Sequence, residues 1–248
     1  HMAPGQCMLG NWMIKSVGNF VKAKGYSVYL TGNQTTSLTG NANTGNTFTT
    51  GLTYSGYPTV YTLQGNPIES GWNLVGNPYP SVISLKTQRT GFTSQVHLYV
   101  TSGPYQGSWQ AQTISPSGVT IAPFQGFMVR ADPTQLPSPP YNGTLSYAFY
   151  QNERTRATNA SFYHTESENA LALEVDFNGV KDITRVEFNS SATEGFDGEY
   201  DANKYDGDQG RPTLYSHSSS MWYSINVQPK LTQVATVPVG LRPEASGT

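Results

Sequence analysis

The chain has 248 residues, enough for one large hydrophobic core or two smaller ones. Only 12 % are charged, with 14 Lys and Arg against 16 Asp and Glu, a formal net charge of −2. Recognition of nucleic acid or anionic lipid needs clustered cations, and the nearest candidate, Glu153-Arg154-Thr155-Arg156, sets two cations beside an anion, so neither is expected as a partner.

Cys7 is the one cysteine, which excludes an intramolecular disulfide and a thiolate metal cluster. A chain of this length can bury enough apolar surface without a disulfide, so secretion stays open. No run approaches the roughly 18 apolar residues that would span a bilayer, and no membrane insertion is expected. His1-Met2 reads as a cloning remnant, and the rest of a larger polypeptide is expected around this chain.

Gly, Ser, Thr and Asn crowd every segment and Tyr contributes 16 residues. This composition predicts short strands joined by many turns, an all-β antiparallel β-sandwich. Residues 1–24 read as a poorly defined N-terminal fragment, with a weak helical pattern over Asn19–Lys24. From Tyr26 to Leu30 bulky residues alternate, the period of a half-buried strand. Strands are then expected over Phe48–Tyr54 and Thr59–Leu63. Gly71-Trp72-Asn73-Leu74-Val75-Gly76-Asn77-Pro78-Tyr79-Pro80 sends Trp72, Leu74 and Val75 toward a core, and its two X-Pro pairs force the chain out of the strand. Val96–Val100 and Ser108–Ala111 flank Gly103-Pro104-Tyr105-Gln106-Gly107 as a long-looped hairpin, and Ile121–Val129 enters a buried strand at Pro123. Four prolines between Asp132 and Pro140 mark a long loop or a boundary.

After a strand over Leu145–Tyr150, a second unit begins. Ala170–Phe177 alternates cleanly, Asn178-Gly179 is the strongest hairpin signal in the chain, and Ile183–Phe188 is its partner. Strands over Trp222–Val227 and Ala235–Leu241 follow. The expected division lies near residues 150–160. One sandwich unit would span 25–155 around the Gly71–Pro80 motif, and a second, smaller one 156–248. A single continuous sandwich is the alternative.

Gly71–Ser81, Ile121–Val129, Ala192–Asp197 leading to Tyr200–Lys204, and Val237–Leu241 occur in an order that resembles the β-sandwich regions preceding the type IX secretion sorting domain in Bacteroidetes secreted and surface proteins. The resemblance covers roughly Tyr26 to Thr248. It implies a module exported across the outer membrane and either displayed on the cell or released, and it carries over no catalytic residue.

Residue patterns that carry chemistry are sparse. His1, His97, His164 and His217 have no spacing that builds a zinc site, and no Gly-x-Ser-x-Gly elbow or phosphate-cradling loop occurs. The carboxylates Glu69, Glu166, Glu168, Glu174 and Glu187 are scattered, so no glycosidase pair suggests itself. Glu194, Asp197, Glu199, Asp201, Asp206 and Asp208 form an acidic loop. Asp197, Glu199 and Asp201 alternate, and Asp206-Gly207-Asp208 repeats the spacing, so these five are candidate oxygen ligands for calcium, against the alternative of a solvated loop capping its own backbone.

Sugar rings stack their C–H faces on flat aromatics, which makes Tyr105 and Trp109 beside the hairpin loop, and the group Tyr54, Tyr57 and Tyr61, candidate ligand-binding residues against the plainer role of core filling. Trp222 and Tyr223 are adjacent on a strand, so one of them must face outward. The leading expectation is therefore a non-catalytic module that binds glycans, a polysaccharide or a cell surface, as an adhesin or appended binding domain. A structural spacer and an uncharacterised hydrolase are the alternatives. A planar exposed row of aromatics would favour the first, full burial of the aromatics the second, and a pocket converging two carboxylates the third.

Overall fold

The computed structural model describes residues 20–27, 40–54, 61–63, 66–68, 71–132, 134–136, 144–155, 170–205, 210–218, 221–232 and 236–243. Its elements are strands, apart from a single 3-10 turn at Gln151–Glu153. The first half holds β1 (Thr47–Thr53), β2 (Tyr61–Leu63), β3 (Asn66–Ile68), β4 (Trp72–Gly76), β5 (Val82–Leu85), β6 (Phe92–Tyr99), β7 (Trp109–Thr113), β8 (Val119–Ile121), β9 (Gly126–Ala131), β10 (Thr144–Phe149) and β11 (Arg154–Thr155). The second holds β12 (Ala170–Phe177), β13 (Val180–Asn189), β14 (Ala202–Asn203), β15 (Thr213–Ser218), β16 (Met221–Pro229) and β17 (Val239–Arg242). Among the described residues no helix is long and apolar enough to cross a membrane.

The first half is a sandwich. A four-stranded sheet in the order β4-β9-β6-β7 faces the β1-β10 pair and the β11-β5-β8 sheet. Alternation along the strands decides which side chains meet between them. Val75 from β4, Phe92 and Val96 from β6 and Phe127 from β9 meet Ile83 and Ile121 from the opposing sheet and Tyr147 and Phe149 from β10. The rings of Phe92, Tyr147, Phe149 and Phe127 pack at 5.2 to 6.1 Å between centroids, edge-on or tilted, the arrangement that aromatic quadrupoles favour. β1 carries a register shift between Thr49 and Leu52, where Gly51 has a φ of 74°.

The Gly71–Pro80 stretch leaves β4 as expected. Asn77 is 3 % exposed and plugs the turn: its amide donates to the carbonyls of Ser81 and Ala122, both at 2.9 Å, and its Oδ1 accepts from the Tyr79 N–H at 3.0 Å. Tyr79 is fully buried, and its hydroxyl reaches the Gly45 and Phe149 carbonyls at 2.9 and 3.0 Å. Val75 enters the core, whereas Trp72 and Leu74 stay half-buried because they lie on the sheet's other face.

The weak helical pattern at Asn19–Lys24 is not realised over residues 20–24. Ala23 has a φ of 60°, and the segment docks on the edge of β4 through Gly25 N–H to Leu74 O at 3.0 Å and Gly76 N–H to Ala23 O at 2.9 Å. A Cβ on Gly25 would stand 2.4 Å from Leu74 Cγ, so only glycine permits this approach. Val28, Tyr29 and Leu30 of the expected Tyr26–Leu30 strand lie outside the described residues.

The second half forms one sheet in the order β12-β13-β16-β15-β17, with β14 on β16. The β12–β13 hairpin pairs without interruption from Ala170↔Glu187 to Phe177↔Val180, and Asn178 and Gly179 have φ values of 54° and 83°, the two positive values that a type I′ turn demands. β13 and β16 pair in parallel, from Arg185↔Ile225 to Asn189↔Pro229. The Thr184 hydroxyl ties three strands together, donating to Tyr223 O at 2.9 Å and accepting from Ser216 N–H at 3.2 Å.

The two halves pack against each other. The face of the β4-β9-β6-β7 sheet turned away from the sandwich core carries Trp72, Gln95, His97, Ala111 and Arg130, and it meets residues 192–205 and β16. Ala111 joins Ala192, Ala202, Ile225 and Val227 in a small apolar cluster. Around it the contacts are polar: Ser94 N–H to Gly198 O at 3.0 Å, His97 Nε2 to Asn203 O at 3.0 Å, and Arg130 to Asn203 Oδ1. The expected division near residues 150–160 borders the stretch 156–169, which lies outside the described residues.

Candidate functional site

The loop that holds Tyr105 turns on Gly103 and Gly107, with φ values of 81° and 83°. Its carbonyls do not face solvent alone: Pro104 O accepts from Lys181 N–H at 2.9 Å, and Gln106 O accepts from the Arg211 guanidinium. The Tyr105 hydroxyl donates to Glu174 Oε2, and Glu174 in turn takes Lys181 Nζ at 2.6 Å. Burial, reinforced by the Glu174 carboxylate, pushes the Tyr105 phenol up to about 12. This loop therefore tethers the first half to the β12–β13 hairpin.

Trp109 opens β7 opposite Tyr99 of β6, and their rings lie 5.2 Å apart. The other neighbour of Trp109 is Tyr205, at 5.5 Å, which also meets Trp72 at 5.0 Å, and Trp72 stands edge-on to His97 at 4.7 Å. Trp109 is thus one member of an aromatic seam between the halves and keeps only part of its surface outward. Tyr54 is half-buried against the sandwich core. Tyr57 lies outside the described residues, as does the side chain of Tyr61 on β2, so the three tyrosines are not seen together.

Of the adjacent pair on β16, Tyr223 is the inward member, 2 % exposed, and Trp222 faces out. Register sets His217 opposite Trp222 and Gly240 opposite Tyr215, which places Tyr215, His217, Trp222, Gly240 and Arg242 on one face. There the Tyr215 and Trp222 rings stack in parallel, 3.6 Å between centroids with planes 7° apart. A Cβ on Gly240 would fall 2.4 Å from Tyr215 Cζ, so the absent side chain makes room for the ring. Arg242 lies 5.9 Å from the Trp222 centroid and donates to Thr213 Oγ1 at 3.0 Å. Tyr215 was not among the aromatics singled out from the sequence. Strand alternation from Trp222 across the β15–β16 turn is the signal that leads to it.

In the acidic loop, Asp201 is 2 % exposed, and both its oxygens are engaged by backbone: Oδ1 by Val227 N–H and Oδ2 by Asp197 N–H, each at 2.7 Å. Asp197 Oδ1 accepts from Glu199 N–H at 3.1 Å, and the Glu199 side chain is exposed. The bonds from Asp197 N–H and Glu199 N–H are local caps, and the bond from Val227 N–H fastens the loop to β16. Asp206 and Asp208 lie outside the described residues, and among the described residues no three His, Cys, Asp or Glu groups gather as a metal cluster would require.

Burial pushes Asp201 up to about 7, and it raises the Glu187 carboxyl too. The charge acting on Asp201 is Asp197, and that acting on Glu187 is Arg185, so the two raised carboxyls belong to separate surroundings. His97 is buried, and loss of solvent lowers its imidazole to about 4. Two shallow concavities of about 470 and 790 Å³ lie beside Tyr150 and beside Leu171, Phe188 and Leu231, and among the described residues neither is lined by a carboxylate or an imidazole.

No family model matches the chain, and neither a curated protein nor a solved structure matches it.

Proposed function

We propose that this chain is a non-catalytic module of a secreted or cell-surface bacterial protein, and that it contacts glycans through aromatic side chains carried on sheet surfaces. The observation that carries this reading is the parallel Tyr215–Trp222 stack, half-exposed on one face of the second-half sheet and fixed by cross-strand register rather than by a mobile loop. Flat, rigid rings lose little conformational freedom on binding, and a sugar's C–H face matches them. Trp109 and Tyr99 offer a second, more enclosed pair. Three largely buried titratable groups among the described residues are occupied structurally: His97 at Asn203, Asp201 at two backbone N–H groups, Glu153 at Arg89. The resemblance to regions preceding a type IX sorting domain supports the extracellular setting.

A polysaccharide screen by affinity electrophoresis, with and without calcium, tests the proposal. Retardation by at least one polysaccharide is expected, lost in Trp222→Ala and weakened in Gly240→Ala, whose methyl displaces Tyr215. Retention of full binding by Trp222→Ala but not by Trp109→Ala would move the site to the seam. Absence of retardation by every polysaccharide would favour the reading as a spacer, which the polar packing between the halves also suits.

A further inference from the structure

Lys204 and Asp182 meet in the interior of the second half. Asp182 is on β13 and Lys204 follows β14, and each side chain is only 4 % exposed. Lys204 Nζ stands 2.8 Å from Asp182 Oδ1 and 2.7 Å from Oδ2, so the amine is held across the whole carboxyl group. Two further contacts complete the setting. Ile183 O accepts from Nζ at 3.0 Å, and Leu214 N–H donates to Oδ2 at 2.7 Å.

An amine held against a carboxyl group, away from solvent, sets side by side the two groups that an amide joins. Fixing the two partners replaces an encounter in solution with a reaction inside one molecule, where effective concentrations are very high. The Leu214 N–H points at the oxygen on which negative charge would collect in a tetrahedral intermediate. The Ile183 carbonyl draws on an N–H that the amine must weaken. Burying two full charges opposes the ion-pair state, and condensation removes both charges together.

We propose that Lys204 and Asp182 condense into an intramolecular amide cross-link. One ammonium proton first passes to Asp182 Oδ1, which frees the Nζ lone pair; Nζ then bonds to Asp182 Cγ and the Cγ–Oδ1 bond breaks. Of the three protons on the ammonium, one stays as the amide N–H, and two leave with Oδ1 as water. Nothing is oxidised or reduced, and no co-reactant is consumed. The product ties β13 covalently to the segment after β14, closing a loop between residues 22 apart in sequence and locking the start of β15 between them.

Intact mass spectrometry and tryptic mapping of the folded full chain decide the matter. The expected result is a mass lower by one water, with a branched peptide joining the Asp182 and Lys204 segments and no cleavage after Lys204. Asp197-Gly198 and Asp206-Gly207 can lose the same mass by cyclising to succinimides. Lys204→Arg separates the two sources: it restores the full mass if the cross-link exists and leaves the deficit in place if a succinimide is responsible. Should Lys204→Arg not fold, the map of the unsubstituted chain is enough. A full-mass protein, or ordinary tryptic cleavage after Lys204, overturns the proposal.

Discussion

His97 and Asp201 are both buried at the seam, and they titrate in opposite senses. The imidazole is lowered from an ordinary 6.5 to about 4 by burial, so the unfolded chain binds this proton more readily, and stability rises with pH between those values. The Asp201 carboxyl is raised from 3.8 to about 7 by burial, against two backbone N–H donors that pull it down. Here the folded chain holds the proton more readily, so stability falls as pH climbs between those values. Each slope is bounded by about 1.4 kcal/mol per pH unit. They oppose one another from about 4 to 6.5, and the intact protein should show a flat stability profile there. Urea midpoints measured in pH steps should rise with pH in Asp201→Asn and fall in His97→Gln. Parallel flat profiles in both variants would show that neither group titrates in the folded chain as its burial requires.

At the scale of the element, Asn77 holds the exit from β4. Its amide serves carbonyls from two separate segments, Ser81 beside it and Ala122 beyond β8. Asn77→Ala should cost about 3 kcal/mol, because it strands buried carbonyls and the Tyr79 N–H together. Asn77→Asp should cost at least as much, since it replaces the donating amide with a group that repels those carbonyls. Chemical denaturation checks both, and an Asp variant as stable as the parent would refute the account. The turn itself could be read from Asn77-Pro78 and Tyr79-Pro80, because proline geometry is local. The long-range job of Asn77 could not, because nothing near it in sequence names Ala122. The same boundary runs through the other elements. The β12–β13 hairpin was legible from alternation and Asn178-Gly179, both local signals. The parallel pairing of β13 with β16 and the two-residue strands β11 and β14 were not, since partner choice is settled by packing. In the acidic loop the carboxylates were visible but their occupation was not: Asp201 is claimed by Val227, 26 residues on. Trp109 was visible as an aromatic beside a loop, but its enclosure by Tyr205 depends on how the halves meet.

Over the whole molecule, the seam joins two sheets through a small apolar cluster and a larger polar rim. Seams of this kind couple units without fusing their cores. Arg130 sits at the centre, bonded to Asn203 and lying 5.2 Å over the Phe196 ring. Scanning calorimetry should give one unfolding transition for the intact chain, because the loops carrying Tyr105 and Glu199 reinforce the seam at separate points. Arg130→Ala should broaden that transition or divide it in two, by removing a charged group from a buried contact. A single sharp transition in Arg130→Ala, with an unchanged midpoint, would show that the halves cooperate through other contacts.

The parallel pair β13–β16 also bears on how the chain reaches its native state. Antiparallel neighbours can close through a short turn, but parallel ones wait for the intervening chain to cross over. Here that chain includes the acidic loop, β14 and β15, so the central pairing of the second sheet cannot form until all of it has been synthesised and placed. Sequence-distant pairings of this sort are slow, on the order of milliseconds to seconds. During that interval β12 and β13 exist as an isolated hairpin, and Val186, buried in the finished fold, lacks the cover that β16 gives it. The second half should therefore be the later to mature, and the more dependent on being kept apart from other copies until it does.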